Sequence, residues 1–454
     1  MTQSHLTFAE NHEIPEGYKK TEIGVIPNDW IVENFSKITE VITCGVAATP
    51  QYVSEQLGKP FLSASNVKDS RIDFDKHKFI PIKLFEQITK HNKPELGDIL
   101  YTRVGAGIGD AAVIDKDYEF AIYVSLTLIK LKKNLNSYYV SYLLNSDKYR
   151  DLARNGQFAG GGVQNLNVEV VRSFQIPVPN LNEQEKIATA LSDTDALISE
   201  LEKLIEKKQA IKTATMQQLL TGKTRLPEFA LREDGMPKAY KESELGQIPE
   251  DWELSEIYEL ADRHKANFDD GDWIEAEHIT NKGVRLIQTG NIGIGSFLDK
   301  ESKKYIYEES FTTLKCKELR INDILICRLA EPAGRACIFE GLDDEKVITS
   351  VDVTIFRPIE NNINRVFLNQ FFTSDVWFSQ VKEHVGGTTH KRISRGALGK
   401  LKVVMPTLDE QTKIAKILQA MDLDLAELKK NYIKYMHIKQ GMMQELLTGK
   451  TRLV

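Results

Sequence analysis

The chain has 454 residues, of which 41% are hydrophobic and 27% are charged, and its net charge is −6. This length predicts two or three domains, and the composition excludes an intrinsically disordered protein. No apolar run reaches the roughly 18 residues of a membrane-spanning helix, and the polar N-terminus lacks the apolar core of a secretory signal. We therefore expect a cytoplasmic protein without a membrane segment. Its acidic charge disfavours a simple nucleic-acid coat.

In chain order, the sequence divides into six segments. We predict an N-terminal extension (1–17), a first domain (18–180), a long helix (181–223), a linker (224–240), a second domain (241–407) and a second long helix (408–454). Both domains contain short β-branched runs separated by Gly, Asn and Asp, with helical patches at 137–153 and 366–383. This mixture predicts two tandem α/β (α+β) domains of ordinary size.

The two halves of the chain repeat one another. Residues 217–226 read QQLLTGKTRL, and residues 444–453 read QELLTGKTRL. The domains also open alike, with EIGVIPNDW at 22–30 and ELGQIPEDW at 244–252, whereas their middles are much less similar. An internal repeat indicates one structural unit used more than once. Similar ends predict that both halves perform a similar function, and dissimilar middles predict that the two domains recognise different targets.

Each predicted long helix carries an apolar seam at spacings of three and four residues. The seam of the second helix consists of Ile414, Leu418, Met421, Leu425, Leu428, Tyr432, Tyr435, Met442 and Leu446. The seam of the first helix begins at Ile187 and falters at Lys208 and Lys212. Sustained heptads predict that the helices pair as an antiparallel coiled coil; the alternative is that each helix lies on its own domain. Residues 182–185 have the form of a capping box.

Several motifs resemble cofactor or catalytic sites without completing them. Residues 222–224 and 449–451 read G-K-T, but a phosphate loop needs a glycine five residues earlier, so we expect helix C-caps. The glycines of 105–109 and 160–162 fit loops, and His384 and His390 lack companion metal ligands. The cysteines form no C-x-x-C pair, so we expect free thiols. The lack of a catalytic pattern favours a binding protein with no cofactor or metal in this chain.

The sequence is richer in signals for binding. No acidic residue lies between His384 and Leu408, a stretch that contains Lys391, Arg392 and Arg395. Basic side chains neutralise DNA phosphates, and arginine also reads guanine. The corresponding stretch of the first half contains amides, among them Gln164 and Asn165, which suit adenine. These patterns predict a DNA-binding surface in each domain; the alternative is that they are ordinary solvated loops.

Three sets of motifs carry a resemblance to a known family. They are the openings GVIPNDW at 24–30 and GQIPEDW at 246–252, the G-D-I-L and N-D-I-L segments followed by Arg103 and Arg328, and the helix starts at 179–188 and 406–415. Together with the tandem layout, they cover nearly the whole chain. The sequence resembles the DNA-specificity subunits of type I restriction–modification enzymes.

The resemblance implies that each domain is a target-recognition domain that reads one half of a split sequence in double-stranded DNA. It implies that the helices act as a spacer and dock two methyltransferase subunits, which nuclease/translocase subunits can join. S-adenosylmethionine, ATP and Mg²⁺ would then belong to those partners. The chain itself would be a non-catalytic subunit of a system for DNA methylation and phage defence.

The resemblance also implies candidate DNA-contacting residues in the loops. They are Ser65, Asn66, Arg103, Gln164 and Asn165 in the first domain, and Gln288, Asn291, Arg328, Lys391, Arg392 and Arg395 in the second. A structural role for Arg103 and Arg328 is the alternative. Two other functions stay open at this point: a coiled-coil scaffold that never contacts DNA, and a self-contained methyltransferase, which the missing glycine-rich motif disfavours.

Overall fold

The computed structural model describes residues 14–68, 70–160, 163–359, 362–387 and 391–454. The chain divides into two compact units: unit 1 comprises Met1–Glu202 and Lys430–Val454, and unit 2 comprises Lys203–Lys429. Each unit therefore combines one predicted domain with parts of both long helices. Residues 1–13 of the predicted extension, Gly161, Gly162 and His390 lie outside the described residues.

Unit 1 is built on a four-stranded and a three-stranded sheet. Its strands are β1 (Tyr18–Thr21), β2 (Gly24–Pro27), β3 (Ile31–Asn34), β4 (Thr39–Cys44), β5 (Gly58–Leu62), β6 (Val67–Lys68), β7 (Arg71–Ile72), β8 (Lys78–Pro81), β9 (Ile99–Thr102), β10 (Ala111–Val113), β11 (Ala121–Ile122), β12 (Leu126–Leu131), β13 (Gln157–Gly160), β14 (Val163–Leu166) and β15 (Gln175–Val178). Its short helices are α1 (Phe35–Ile38), α2 (Ile82–Thr89), α3 (Ser137–Leu144), α4 (Asp147–Asn155) and α5 (Val168–Arg172). The larger sheet is antiparallel in the order β10-β9-β12-β4, and the smaller has the order β11-β5-β8.

Strand β9 shows how the sequence places the larger sheet of unit 1 inside the domain. Ile99 and Tyr101 pack into one hydrophobic core together with helices α3 and α4. Leu100 packs into a second core together with Leu62 and Val67. Because successive side chains point to opposite faces of a strand, an unbroken buried run fits a sheet that is covered on both sides.

The chain then passes through the long helix α6 (Leu181–Leu219) and the short helix α7 (Pro227–Ala230). The strands that follow in unit 2 are β16 (Tyr240–Ser243), β17 (Gly246–Pro249), β18 (Glu253–Glu256), β19 (Phe268–Asp270), β20 (Ile279–Thr280), β21 (Val284–Ile287), β22 (Lys304–Ile306), β23 (Ile324–Cys327), β24 (Ala336–Ile338), β25 (Val347–Thr349), β26 (Val353–Phe356) and β27 (Lys402–Met405). The remaining helices are α8 (Ile257–Leu260), α9 (Glu308–Thr313), α10 (Arg365–Phe371), α11 (Asp375–His384), α12 (Arg395–Lys400) and the long helix α13 (Leu408–Leu446).

Unit 2 has two four-stranded sheets, in the orders β19-β26-β23-β24 and β20-β22-β21-β25. Strand β23 is central in the first sheet and is buried on both faces, as β9 is in unit 1. The predicted mixed architecture is confirmed. The helical patches predicted at 137–153 and 366–383 are each a pair of short helices, α3 with α4 and α10 with α11.

The two long helices contact each other in both units, and they run antiparallel. In unit 1, Asp195 of α6 forms an ion pair with Lys439 of α13 (2.6 Å). Further along α6, Glu202 accepts a hydrogen bond from the hydroxyl of Tyr432 (2.9 Å). The partner's number falls as the α6 number rises, which confirms the predicted antiparallel pairing. The predicted seam is buried at four of its positions, Ile414, Leu418, Leu425 and Leu446.

In unit 2, part of the seam carries ion pairs. Lys208 and Lys212 of α6 pair with Asp424 and Asp422 of α13. This explains why the apolar pattern falters at the two lysines, since they face carboxylates on the partner helix. A polar layer of this kind fixes the register of two paired helices.

The TGKTRL segment that follows helix α13 closes unit 1. The Arg452 guanidinium bonds to both carboxylate oxygens of Glu183 (2.6 and 2.9 Å) and to the carboxylate of Asp29 (2.9 and 2.7 Å). Glu183 is fully buried and also accepts a hydrogen bond from Trp30 Nε1 (3.0 Å). The hydrogen bond from Arg452 lowers the pKa of Asp29. We call these four residues the unit 1 clamp.

Unit 2 contains the same arrangement, the unit 2 clamp, made of Asp251, Trp252, Glu410 and Arg225. Arg225 bonds to Glu410 (2.8 and 2.6 Å) and to Asp251 (2.7 and 3.2 Å). Trp252 Nε1 donates to the buried Glu410 (2.9 Å). In each unit, the clamp therefore joins the domain opening, the start of one long helix and the segment that follows the other.

The glycine of each G-K-T segment has a left-handed backbone, with φ of +71° at both Gly222 and Gly449. A Cβ atom on Gly449 would lie 2.6 Å from Pro27, and one on Gly222 would lie 2.4 Å from Pro249. The predicted helix C-caps are confirmed. The close approach to proline leaves room for glycine alone.

The predicted capping box at 182–185 is wrong. Helix α6 begins at Leu181, and the side chain of Asn180 caps it by accepting a hydrogen bond from the Glu183 N–H (3.0 Å). The polar residue two positions before Asn182 supplies the cap, and the carboxylate of Glu183 belongs to the unit 1 clamp. Thr407 occupies the same place before helix α13 (3.4 Å to the Glu410 N–H).

We predict that Arg452→Met lowers the free energy of unfolding of unit 1 by about 3 kcal/mol, because Glu183 would stay buried without its counter-charge. Urea unfolding followed by tryptophan fluorescence measures this, since Trp30 lies in the clamp. The control is Lys434→Met on the exposed surface of helix α13, for which we expect less than about 0.5 kcal/mol. Equal losses for the two variants would contradict the role of the clamp.

Candidate nucleic-acid interface

In unit 1, the loop after strand β9 is joined to the hairpin of β13 and β14. Arg103 is 8% exposed, and its Nε donates to the carbonyl of Leu166 (2.9 Å). The Leu166 N–H donates back to the carbonyl of Arg103 (2.8 Å), and Val104 bridges to Asn165. Arginine and hairpin therefore hold each other in place.

Ser125 links a third segment, the turn at 63–66, to Arg103. Its hydroxyl accepts a hydrogen bond from the Ala64 N–H (2.9 Å), and its carbonyl accepts one from the Arg103 N–H (3.0 Å). Within the 63–66 turn, Asn66 accepts from the Ser63 N–H (2.9 Å) and donates to two carbonyls further on. The segments 63–66, 103–110 and 163–167 thus form one surface, which we call face 1.

Unit 2 repeats the arrangement. Arg328 is 3% exposed, and its Nη1 and Nη2 donate to the carbonyls of Ile393 (3.2 Å) and Val351 (2.7 Å). The Ile393 N–H donates to the Arg328 carbonyl (3.0 Å), and Leu329 bridges to Arg392. The segments 288–292, 328–335 and 391–395 form this surface, which we call face 2.

Arg335 ties the segments of face 2 together, although no sequence motif marks it. Its guanidinium donates to the carbonyls of Thr289 (2.9 Å), Ile292 (2.7 Å) and Leu329 (2.9 Å). The corresponding position of unit 1, judged by the β9–β10 and β23–β24 registers, is Asp110. A comparison of the two halves therefore gives no signal for a shared function at this position.

Two arginines of face 2 are paired with acidic residues from other segments. Arg392, which is 51% exposed, forms an ion pair with Asp352 (3.3 Å). Arg395 pairs with Asp269 and with Asp270 (3.6 Å). The stretch 384–408 contains no acidic residue, but the fold brings Asp269, Asp270, Asp352 and Glu256 to it. The strongly basic surface that the sequence predicts is therefore largely neutralised.

The structure separates the sequence-predicted contact residues into two groups. Four are buried, and their side chains bond to the loops themselves: Asn66, Asn291, Arg103 and Arg328. Seven are exposed or half-buried: Ser65, Gln164, Asn165, Gln288, Lys391, Arg392 and Arg395. The first group holds the faces in shape, which is the alternative role considered for the two arginines. DNA contact stays a prediction for each residue.

The other motifs of the sequence have structural roles. Gly105 and Gly109 shape the turn between β9 and β10 with positive φ angles, and His384 bonds to the carbonyl of Gln380. The four cysteines are free, and burial raises the pKa of Cys337 to about 12. Among the described residues, no cluster of three or more His, Cys, Asp or Glu side chains could hold a metal ion. In the same part of the chain, no helix is long and apolar enough to cross a membrane.

The sequence is similar to proteins of one kind along most of its length. A family model described as a type I restriction modification DNA specificity domain matches the chain twice, at residues 29–213 and 249–435. The MjaX specificity subunit of a Methanocaldococcus jannaschii type I restriction enzyme is 30% identical, over 96% of this chain and 97% of the relative. The MjaVIII specificity subunit of the same organism is 26% identical, over 96% of each chain.

The fold is similar to that of solved structures. The crystal structure of the S subunit of a type I restriction–modification system from M. genitalium superposes with a TM-score of 0.57 at 16% identity, over 92% of this chain and 96% of that one. A chain from a structural study of complex assembly and conformational transition in the type I system gives 0.52 at 14% identity, over 94% and 99%. At these identities the likeness concerns the fold alone.

We predict that Asn66→Ala and Asn291→Ala each lower the free energy of unfolding of their unit by about 2 kcal/mol, since buried backbone groups lose their hydrogen-bond partners. Urea titration measures the change. The control for unit 1 is Ser65→Ala, at the exposed neighbour of Asn66, with an expected change below about 0.5 kcal/mol. An unchanged stability in the asparagine variants would refute their role in holding the faces.

Proposed function

Because the chain belongs to the family of type I restriction–modification DNA-specificity subunits, we propose that its two domains read the two halves of a split, asymmetric DNA target through face 1 and face 2. The chain carries two copies of the specificity domain, and each copy builds its face from three corresponding segments. A duplicated reader with different surface residues suits a target whose halves differ in sequence.

The observation that carries this proposal is the change of side chains on an unchanged framework. Arg103 and Arg328 make matching backbone bonds in the two units. Beside them, face 1 presents the amides of Gln164 and Asn165, and face 2 presents Lys391 and Arg392. Amides pair with adenine edges and arginine pairs with guanine edges in the major groove. The proposed halves therefore differ in base composition.

The long helices are proposed to set the number of base pairs between the half-sites. Each helix belongs partly to unit 1 and partly to unit 2. Ion pairs between α6 and α13 fix the register within each unit. Two readers on a fixed spacer recognise half-sites at one separation, as dimeric DNA-binding proteins do.

The helices are also proposed to dock two methyltransferase subunits, which nuclease/translocase subunits join. Large apolar side chains are exposed on them: Ile433, Met436 and Ile438 in unit 1, and Leu204, Ile211 and Leu423 in unit 2. In unit 1, Ile433 and Met436 line a groove with a cavity volume of about 1820 Å³. Exposed apolar surface of this kind marks protein partners.

In this proposal the chain itself is non-catalytic. S-adenosylmethionine, ATP and Mg²⁺ belong to the partner subunits, and the faces described above supply recognition. Methylation would then take place on the partner, at the sequence that this chain selects.

We expect Lys391→Ala combined with Arg392→Ala to relax the sequence requirement in one half of the target only. Gln164→Ala combined with Asn165→Ala should relax the other half. Each lost base contact removes about 1–3 kcal/mol of discrimination. Methylome sequencing of cells that carry each variant with its partner subunits reads out both halves. The control, Glu228→Gln in the exposed helix α7, should leave both unchanged, and joint changes in both halves would sink the assignment of one face to each half.

A second candidate function is a protein scaffold that does not contact DNA, which the net charge of −6 favours. It differs in its consequence for Lys391, Arg392 and Arg395. Replacing all three by glutamate would leave a scaffold's assembly and activity intact, whereas the proposed DNA reader would lose methylation at its target. Pull-down of the partner subunits, measured together with methylation, separates the two.

A further inference from the structure

The arginines of face 2 are held by aspartates that come from two other segments. Asp269 and Asp270 belong to strand β19, and Asp352 precedes strand β26. Asp352 pairs with Arg392 (3.3 Å), and Asp269 pairs with Arg395. Both arginines stay partly exposed, at 51% and 37% of their side-chain surface. The pairs therefore lie where an incoming ligand can reach them.

The strand registers identify the corresponding positions of unit 1. Strand β12 pairs with β4 so that Thr127 faces Cys44 and Leu128 faces Thr43. Strand β26 pairs with β19 in the same way, so that Thr354 faces Asp270 and Ile355 faces Asp269. The positions that hold two aspartates in unit 2 hold Thr43 and Cys44 in unit 1.

The third aspartate and the two arginines have neutral counterparts too. Ser125 accepts the Arg103 N–H as Asp352 accepts the Arg328 N–H, in both cases through the backbone carbonyl. Asn165 bridges the loop of face 1 as Arg392 bridges that of face 2. Val168 begins helix α5 as Arg395 begins helix α12. The charges of both signs occur together on face 2, and both are replaced by neutral side chains on face 1.

The buried arginine of each face does not explain the aspartates. Arg328 forms ion pairs with Asp270 (3.0 Å) and with Asp352 (3.9 Å), but Arg103 is buried at the corresponding place and bonds to backbone carbonyls. A framework arginine can therefore be buried here without a carboxylate at that position. Asp352 and Asp269 pair with the exposed arginines, with which they occur, and Asp269 pairs with Lys317 as well (3.5 Å).

We propose that Asp352 and Asp269 are specificity-determining residues, which pair with Arg392 and Arg395 so that these arginines bind base edges and not DNA phosphates in general. The proposal rests on the proposed DNA-reading function. A guanidinium has five N–H donors, so an arginine held by one carboxylate keeps donors for a guanine edge. The carboxylate offsets the positive charge of the arginine. It therefore also reduces the counterion release that drives binding to any DNA sequence.

The test uses the full chain purified with its methyltransferase subunits. Its binding is measured to two DNA duplexes, one with the sequence that the complex methylates and one of random sequence. Asp352→Asn frees Arg392. We expect it to raise the affinity for random duplex roughly 5- to 10-fold at about 0.1 M salt, and to steepen the slope of log K against log salt by about 0.9. The affinity for the target should rise less, so that the ratio of the two falls.

Two further variants identify the source of the effect. In the Arg392→Gln background, Asp352→Asn should leave the affinity for random duplex unchanged, because no freed arginine is present. Asp269→Asn, which leaves Arg395 only its longer ion pair with Asp270 (3.6 Å), should raise the affinity for random duplex by a smaller factor and keeps the proposal testable if Asp352→Asn does not fold. The control is Glu228→Gln, which removes the same charge from an exposed ion pair with Lys413 of unit 2 and should leave both affinities within about twofold.

The outcomes separate the two proposals. If the unaltered complex prefers its target but neither aspartate variant gains affinity for random duplex, the aspartates only hold the loops and the inference is overturned. It is overturned equally if the gain persists without the freed arginine. If the unaltered complex shows no preference for its target over random duplex, the proposed DNA-reading function fails first, and the inference falls with it.

Discussion

One buried carboxylate organises each unit of this protein, Glu183 in unit 1 and Glu410 in unit 2. A buried charge costs several kcal/mol unless it is paired and hydrogen-bonded. Each of these carboxylates is compensated by an arginine and by a tryptophan N–H. The arginine follows one long helix, the carboxylate begins the other, and the tryptophan belongs to the domain opening. The domain and both helices must therefore come together before this carboxylate can be buried with its partners.

This framework leaves the loops of the two faces free to differ. The clamps use matching side-chain bonds, and Arg103 and Arg328 use matching bonds to backbone carbonyls, so the fold does not depend on which side chains the faces present. Face 1 is mainly neutral, whereas face 2 carries paired charges. A repeat of this construction can change what it recognises without changing how it is held together.

Local sequence patterns predicted the long helices and their ends. Long-range packing determined which polar side chains are paired or buried, and no local pattern predicted that. The heptad seam from Ile414 to Leu446 and the glycine C-caps follow from neighbouring residues, so the sequence was sufficient for the paired helices. The pairing of Arg392 with Asp352 joins segments that no local pattern connects, so the basic stretch appeared more positive than it is. Asn66 and Asn291 look like readers in a polar loop, and only the fold shows that their amides are buried. The capping position of helix α6 was missed because Asn180 and Asn182 are both plausible from composition.

The clamp of unit 1 also bears on how the chain is made. Arg452 and Asp29 are 423 residues apart, which a ribosome covers in roughly 20 to 85 seconds at about 5–20 residues per second. The domain translated first therefore completes its clamp only after unit 2 has been translated, since Arg452 lies beyond Lys429. Unit 2 needs no residue beyond Lys429. A frameshift between the codons of Lys429 and Arg452 would consequently remove the clamp of unit 1 and leave the sequence of unit 2 intact.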